Sequence, residues 1–276
     1  MPASLILKFP APPRTPSPRQ LLGAAARLFE TVDSDHHAES KPFAVGPVTP
    51  SPGSGAPAAG GAAAGSAGST GPASSTGSTS STGAAGAAGA AGCPGMTLWR
   101  LGWLRDGELP EGWPPRTVRF GPCEQQVTGF DVDPWPFARL ASAGPARRVR
   151  LRMITPLFFS RSGRDLPLPE PVLIVRSLWT RWNAYAPAAL EIDEGIAREL
   201  ADAVFLDSVS GASRQVPLTE QIRQVGFVGS AELRLLKTAS VTVADVFGAL
   251  SRFAAIAGIG ALTTHGFGAV EVGPTV

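Results

Sequence analysis

Residues 51–92 constrain the fold most, because all 42 of these positions are Ala, Gly, Ser, Thr or Pro. A segment of this composition cannot bury enough apolar surface to offset the conformational entropy that is lost on ordering. We therefore expect residues 51–92 to be a flexible, disordered insertion. The other 276 − 42 = 234 residues are enough for one sizeable core or two small ones.

The chain on either side of this insertion has the pattern of an α+β domain. Ala3–Phe9 is a short apolar run that predicts a strand, and Ser17, Pro18 and Gln20 predict the capping box of a following helix. Further strands are predicted over 41–48, 96–105 and 116–127. A second helix is only weakly indicated, because residues 106–113 lie among helix-breaking prolines.

The chain after residue 146 predicts a similar order of elements. Arg148, Arg150 and Arg152 alternate with apolar residues, which on a strand places the three arginines on one face. The remaining elements are a helix from Pro169 through Trp182, strands at 203–206 and 224–236, a helix capped by Thr242 and ended by Gly258, and a strand at 267–272. We predict tandem ferredoxin-like domains, residues 1–145 and 146–276, because each half approximates a β-α-β-β-α-β order.

Composition narrows the possible partners and locations. The 24 basic residues include three lysines, so 24 − 3 = 21 are arginines, which bind phosphate in bidentate fashion and stack on bases. A GC-rich genome would produce the same bias, so composition permits nucleic acid without requiring it. The two cysteines form neither a disulfide framework nor a metal motif. No signal peptide or membrane-spanning run is indicated, and we expect a soluble, cytoplasmic protein.

Two segments could carry chemistry. Residues 258–268 (GIGALTTHGFG) hold four glycines between a helix and a strand, an arrangement that permits either an anion-binding nest of amides or a helix cap followed by a bulged turn. Residues 35–41 (DHHAESK) hold two of the three histidines beside one of the three lysines. Imidazole can act as a general acid or base, and lysine can stabilise the charge of a phosphate. The alternative interpretation is that this segment is a solvated polar turn after a helix. No third and fourth metal ligand stand at workable spacing, so we expect no metal and no cofactor.

Residues 258–270, directly after an amphipathic helix, resemble the glycine-rich loop of the Cas6 family, the pre-crRNA endoribonuclease branch of the RAMP superfamily. Three other segments resemble landmarks of that family in the right order, namely 37–48 (HAESKPFAVGPV), 155–159 (TPLFF) and 178–185 (LWTRWNAY). The resemblance implies tandem ferredoxin-like (RAMP, RRM-like) domains that bind CRISPR repeat RNA and cut it once. It also implies metal-independent attack of a 2′-hydroxyl on its own phosphate, which leaves a 2′,3′-cyclic phosphate and a 5′-hydroxyl.

The resemblance places the catalytic histidine at His36 or His37, with a slight preference for His37, and the supporting lysine at Lys41. Some family members use a tyrosine of the first helix, but the single tyrosine here is Tyr185, so the second acid–base partner stays open. The expected RNA contacts are the arginine face and the loop residues Gly258, Gly260, Thr264, His265, Gly266 and Gly268. Expected partners are repeat RNA or crRNA and, beyond these, other CRISPR effector subunits. The alternatives are a non-catalytic RAMP subunit that binds crRNA and an unrelated α+β protein.

Overall fold

The computed structural model describes residues 1–10, 15–30, 41–51, 95–161, 163–219 and 221–275. The predicted catalytic residues His36 and His37 lie outside these ranges, as does the low-complexity tract apart from Ser51.

The first half of the chain forms a four-stranded antiparallel sheet. Its elements are β1 (Ala3–Pro10), α1 (Pro18–Phe29), β2 (Phe43–Pro50), β3 (Met96–Trp103), the hairpin β4 (Thr117–Phe120) and β5 (Cys123–Gln126), β6 (Gly129–Pro134) and α2 (Phe137–Ala141). The strand order is β2-β3-β1-β6, which is the order of a ferredoxin-like sheet. The predicted capping box of α1 is confirmed, because the Ser17 side chain accepts from the Gln20 amide and the Gln20 side chain accepts from the Ser17 amide.

The second half repeats this topology. Its elements are β7 (Arg148–Leu157), β8 (Phe159–Arg161), β9 (Arg164–Leu166), α3 (Pro171–Tyr185), α4 (Glu194–Ala203), β10 (Val204–Pro217), β11 (Arg223–Leu235), α5 (Val241–Ala257) and β12 (Val270–Val272). The strand order β10-β11-β7-β12 matches that of the first sheet. The predicted tandem ferredoxin-like fold is therefore confirmed.

Several predicted elements differ from the structure. Residues 117–126 form the hairpin β4–β5 where a single strand was predicted, and this hairpin packs on α1 in place of a second helix. The helix α4 was not predicted, although Asp193 caps it through the Gly195 and Ile196 amides. The prediction that Thr242 caps α5 is wrong, because the Ser240 side chain accepts from the Val243 amide and the cap lies two residues earlier.

Each sheet has its own core, and α5 joins the two halves. In the first core Phe29 stacks on Phe43, Trp103 and Trp113, with ring centroids 5.3 to 5.7 Å apart. The second core places Trp182 edge-on against both Phe137 and Phe253. β3 lies directly against α5, since a Cβ at Gly102 would stand 2.0 Å from the Ile256 carbonyl oxygen. Because α5 packs directly on β3, the glycine-rich loop that follows α5 begins next to the first half.

Candidate functional site

The glycine N–H groups of the glycine-rich loop, residues 258–268, donate hydrogen bonds within the protein. Gly258 N–H donates to the Ala254 carbonyl, Gly260 N–H to Ser177 Oγ, and Gly268 N–H to the Pro156 carbonyl, at 2.9 to 3.0 Å. Gly266 N–H lies 3.5 Å from the Thr263 carbonyl oxygen. Three of the four glycine amides thus have close partners within the protein, which favours the helix cap with a bulged turn over an anion nest. We expect RNA contacts of the loop to come from its side chains and its other amides.

The last two glycines of the loop, Gly266 and Gly268, occupy different structural environments. Gly268 has a φ of +63°, and a Cβ there would stand 1.8 Å from the Ile259 carbonyl oxygen, so no other residue fits. Gly266 has a φ of +90°, but the nearest atom to an added Cβ is the Leu21 Cδ1 on α1 at 3.0 Å. Gly268 is thus fixed by packing of the loop against itself, whereas Gly266 marks where the loop touches the first half.

Arg181 of α3 holds the base of the loop. Its guanidinium donates to the carbonyl oxygens of Ala257 at 2.7 Å, Gly258 at 3.2 Å and Gly260 at 2.6 Å. Burial lowers the pKa of Arg181 to about 10, the opposing effect of Tyr185 being smaller. A desolvated guanidinium facing three carbonyls is an anchor for the loop backbone. Sequence analysis singled out the α3 segment but not this residue, because the contact joins positions 76 to 79 residues apart.

The tip of the loop meets the first half of the chain. The 3-10 turn Thr263–His265 packs against α1 and β2, and the His265 Nδ1 lies 3.2 Å from Thr264 Oγ1. Burial lowers the pKa of His265, and the positive charges of Arg19 and Lys41 lower it further. The structure therefore places Thr264 beside His265, and it shows Lys41 and Arg19 acting electrostatically on His265. Sequence analysis had not selected Arg19.

Lys41 forms an ion pair with Glu30, whose side chain is 8% exposed against 19% for Lys41. Glu30 follows the end of α1 and Lys41 precedes β2, so the ion pair joins the two positions that flank residues 31–40. The 3-10 turn of the glycine-rich loop contacts α1 and β2, the two elements that this ion pair connects. The ion pair thus holds the Lys41 side chain at the start of β2.

The predicted arginine face lies elsewhere, on β7. Arg148, Arg150 and Arg152 are exposed while the alternate residues are buried, as the alternation predicted. Arg148 pairs with Glu232, and Arg152 Nε lies 2.9 Å from Glu271 Oε2. No ion pair is seen for Arg150 within the described ranges. Of the three arginines, Arg150 is the one most available to an external anion.

The described residues show neither a metal-binding cluster nor a membrane-spanning helix. They contain no cluster of three or more His, Cys, Asp or Glu side chains placed to share a metal ion. None of their helices has both the length and the apolar character needed to cross a bilayer.

Two ferredoxin-like units in tandem, with a glycine-rich loop between the last helix and the last strand, define a RAMP-type protein. The family model for the CRISPR-associated endoribonuclease Cas6 matches residues 151–270. Over 153 residues the chain is 31% identical to the CRISPR-associated endoribonuclease Cas6 of Mycobacterium tuberculosis, a match that covers 54% of this chain and 48% of that protein. The chain thus spans about half the length of the curated relatives that it matches.

Solved structures extend the likeness over the whole chain. A Cas6 protein in a product complex is 26% identical, with a TM-score of 0.72 and 99% coverage of both chains. The Thermus thermophilus Cas6 is 21% identical with a TM-score of 0.63, which supports the fold. The chain is thus similar to Cas6 proteins, in sequence over residues 151–270 and in fold over its whole length.

Proposed function

We propose that this protein is an endoribonuclease that processes CRISPR repeat RNA without a metal ion. The 2′-hydroxyl attacks the adjacent phosphorus, the bond from phosphorus to the 5′-oxygen breaks, and the products are a 2′,3′-cyclic phosphate and a 5′-hydroxyl. One proton leaves the 2′-oxygen and one is delivered to the 5′-oxygen, so the reaction needs an acid, a base and a group that stabilises the phosphorane charge.

The observation that carries this proposal is the packing of the loop's 3-10 turn against α1 and β2, with Lys41 just before β2. The positive charges of Arg19 and Lys41 also act on His265. Positive charge suits the binding of a phosphodiester, and an imidazole suits proton transfer. The near full-length likeness to a Cas6 product complex supports a role in RNA processing.

In the proposed mechanism His36 or His37 supplies acid–base catalysis and Lys41 stabilises the developing charge. His37 precedes Lys41 by four positions in the chain, and four residues span at most about 14 Å. The proposal therefore needs no long reach between the histidine pair and the lysine. Glu30, paired with Lys41, orients the ammonium group.

The test is single-turnover cleavage of repeat RNA with the Lys41→Ala and the double His36→Ala/His37→Ala variants. Loss of general acid–base catalysis typically costs about 10²–10⁴-fold in rate. Lys8→Ala is the matched control, because Lys8 also forms an ion pair, with Asp131 at 2.9 Å, but on β1. Full activity of the double histidine variant would overturn the assignment. RNA binding by the wild-type chain without any cleavage would favour a non-catalytic crRNA-binding subunit.

A further inference from the structure

We propose that His265 is a second acid–base residue of this site, and that its imidazole accepts the proton of the attacking 2′-hydroxyl. This inference rests on the proposed function and replaces the expectation that His265 only binds RNA. It assigns the acid–base role that the sequence left open.

The first argument is that the loop backbone holds His265 in a fixed place. His265 N–H donates to the Leu262 carbonyl at 2.9 Å, and Phe267 N–H donates to the same oxygen at 3.3 Å. Thr263 and Phe267 on either side are only 6% and 2% exposed. With both neighbours packed into the protein, the imidazole is presented at the loop tip with little freedom of the main chain.

The second argument concerns the two ring nitrogens. Nδ1 lies 3.2 Å from Thr264 Oγ1, and no partner is seen for Nε2 among the residues that the structure describes. When Nδ1–H donates to the threonine hydroxyl, Nε2 carries a lone pair and is the basic atom. The Thr264 hydroxyl can accept from Nδ1–H, so this contact is compatible with the tautomer that a general base requires.

The third argument is electrostatic. The charged groups that face His265 are Arg19 on α1 and Lys41 before β2, the latter paired with Glu30. Burial and these two cations lower the pKa of His265, which favours the neutral imidazole. A neutral imidazole can take a proton from the 2′-hydroxyl, while the neighbouring cations attract the phosphate.

The first test needs no catalysis. His265 is one of only three histidines, so its ring protons can be assigned by comparing wild-type protein with His265→Gln. We expect NMR titration to give a pKa below the ordinary value of 6.5, which rises in Arg19→Gln because one cation is removed. An ordinary pKa that Arg19→Gln leaves unchanged would contradict the electrostatic argument.

The second test is cleavage at saturating enzyme, with RNA affinity measured on repeat RNA that carries a 2′-deoxy nucleotide at the cut. We expect His265→Gln to slow cleavage by about 10²–10⁴-fold while affinity changes much less. The loss should persist when a 5′-phosphorothiolate replaces the leaving oxygen, since a thiolate needs no acid but the 2′-hydroxyl still needs a base.

The outcomes separate the two proposals. Wild-type cleavage with an equally active His265→Gln variant overturns the role of His265 and leaves the proposed function intact. Rescue of His265→Gln by the phosphorothiolate makes His265 the acid and overturns its role as base. A loss confined to affinity makes His265 a binding residue. A wild-type chain that binds but does not cut repeat RNA overturns both proposals.

Discussion

Replacing Arg181 with methionine removes the anchor of the glycine-rich loop while keeping a side chain of similar length. Burial that lowers the pKa of Arg181 to about 10 corresponds to a cost on the order of 3 kcal/mol for the charged form. Three hydrogen bonds from a charged donor, at about 1.5–3 kcal/mol each, offset this cost. The net contribution is about 2–6 kcal/mol, and methionine also leaves three carbonyl groups without their donor.

We therefore expect Arg181→Met to lower the free energy of unfolding by about 2–5 kcal/mol and to weaken repeat-RNA affinity in the fraction that stays folded. The stability and RNA affinity of Arg181→Lys should lie between those of the wild type and Arg181→Met. A single ammonium group cannot reproduce the planar array of donors of a guanidinium. The measurements are urea unfolding and filter binding of RNA. Arg176→Met is the matched control, since Arg176 lies on the same helix but is exposed, and it should change stability by less than about 0.5 kcal/mol. An Arg181→Met protein as stable as the control would refute the reasoning.

Four other expectations follow from the structure. Arg150→Ala should reduce the slope of log RNA affinity against log salt concentration by roughly 0.7–0.9 if Arg150 contacts one phosphate. Arg148→Ala should reduce it by less because Arg148 forms an ion pair with Glu232. Slopes equal to that of the wild type would mean that this arginine face contacts only solvent. Gly266→Ala should cost about 1–2 kcal/mol in stability and weaken RNA affinity, and unchanged affinity would reduce the loop to a structural turn. Replacing residues 52–94 with about five residues should raise the free energy of unfolding by about 2 kcal/mol, since Pro50 and Thr97 are directly paired; a loss of soluble protein would contradict this. Because the pKa of His265 is lowered on folding, its contribution to stability falls as pH drops below about 6.5, and His265→Gln should remove that dependence in urea unfolding at pH 5 to 8.

Much of the fold could be predicted from local patterns. The alternation of Arg148, Arg150 and Arg152 gave the faces of β7 correctly, and Ser17 with Gln20 located the start of α1 to the residue. These signals depend on neighbours within four positions. The hairpin β4–β5 was missed because short polar strands have no strong period, and only packing on α1 shows what it replaces.

The candidate site was less accessible to sequence reasoning. The glycine-rich loop was found from composition, but the reason for its glycines was not, because Gly268 is fixed by a carbonyl oxygen nine positions earlier in the chain. The electrostatic effect of Lys41 on His265 links residues that are far apart in the sequence. A local sequence pattern therefore cannot predict it. The roles of His36 and His37 stay predictions from the family resemblance.

The central claim is tested most directly by the chemistry of the product ends. CRISPR repeat RNA is incubated with the protein in excess EDTA, and the fragments are examined by mass spectrometry. The account predicts one cut, with a 2′,3′-cyclic phosphate on the upstream fragment and a 5′-hydroxyl on the downstream fragment, and no cut when the nucleotide before the scissile phosphate is 2′-deoxy. Cleavage that requires Mg²⁺, or that leaves a 3′-hydroxyl and a 5′-phosphate, would contradict it.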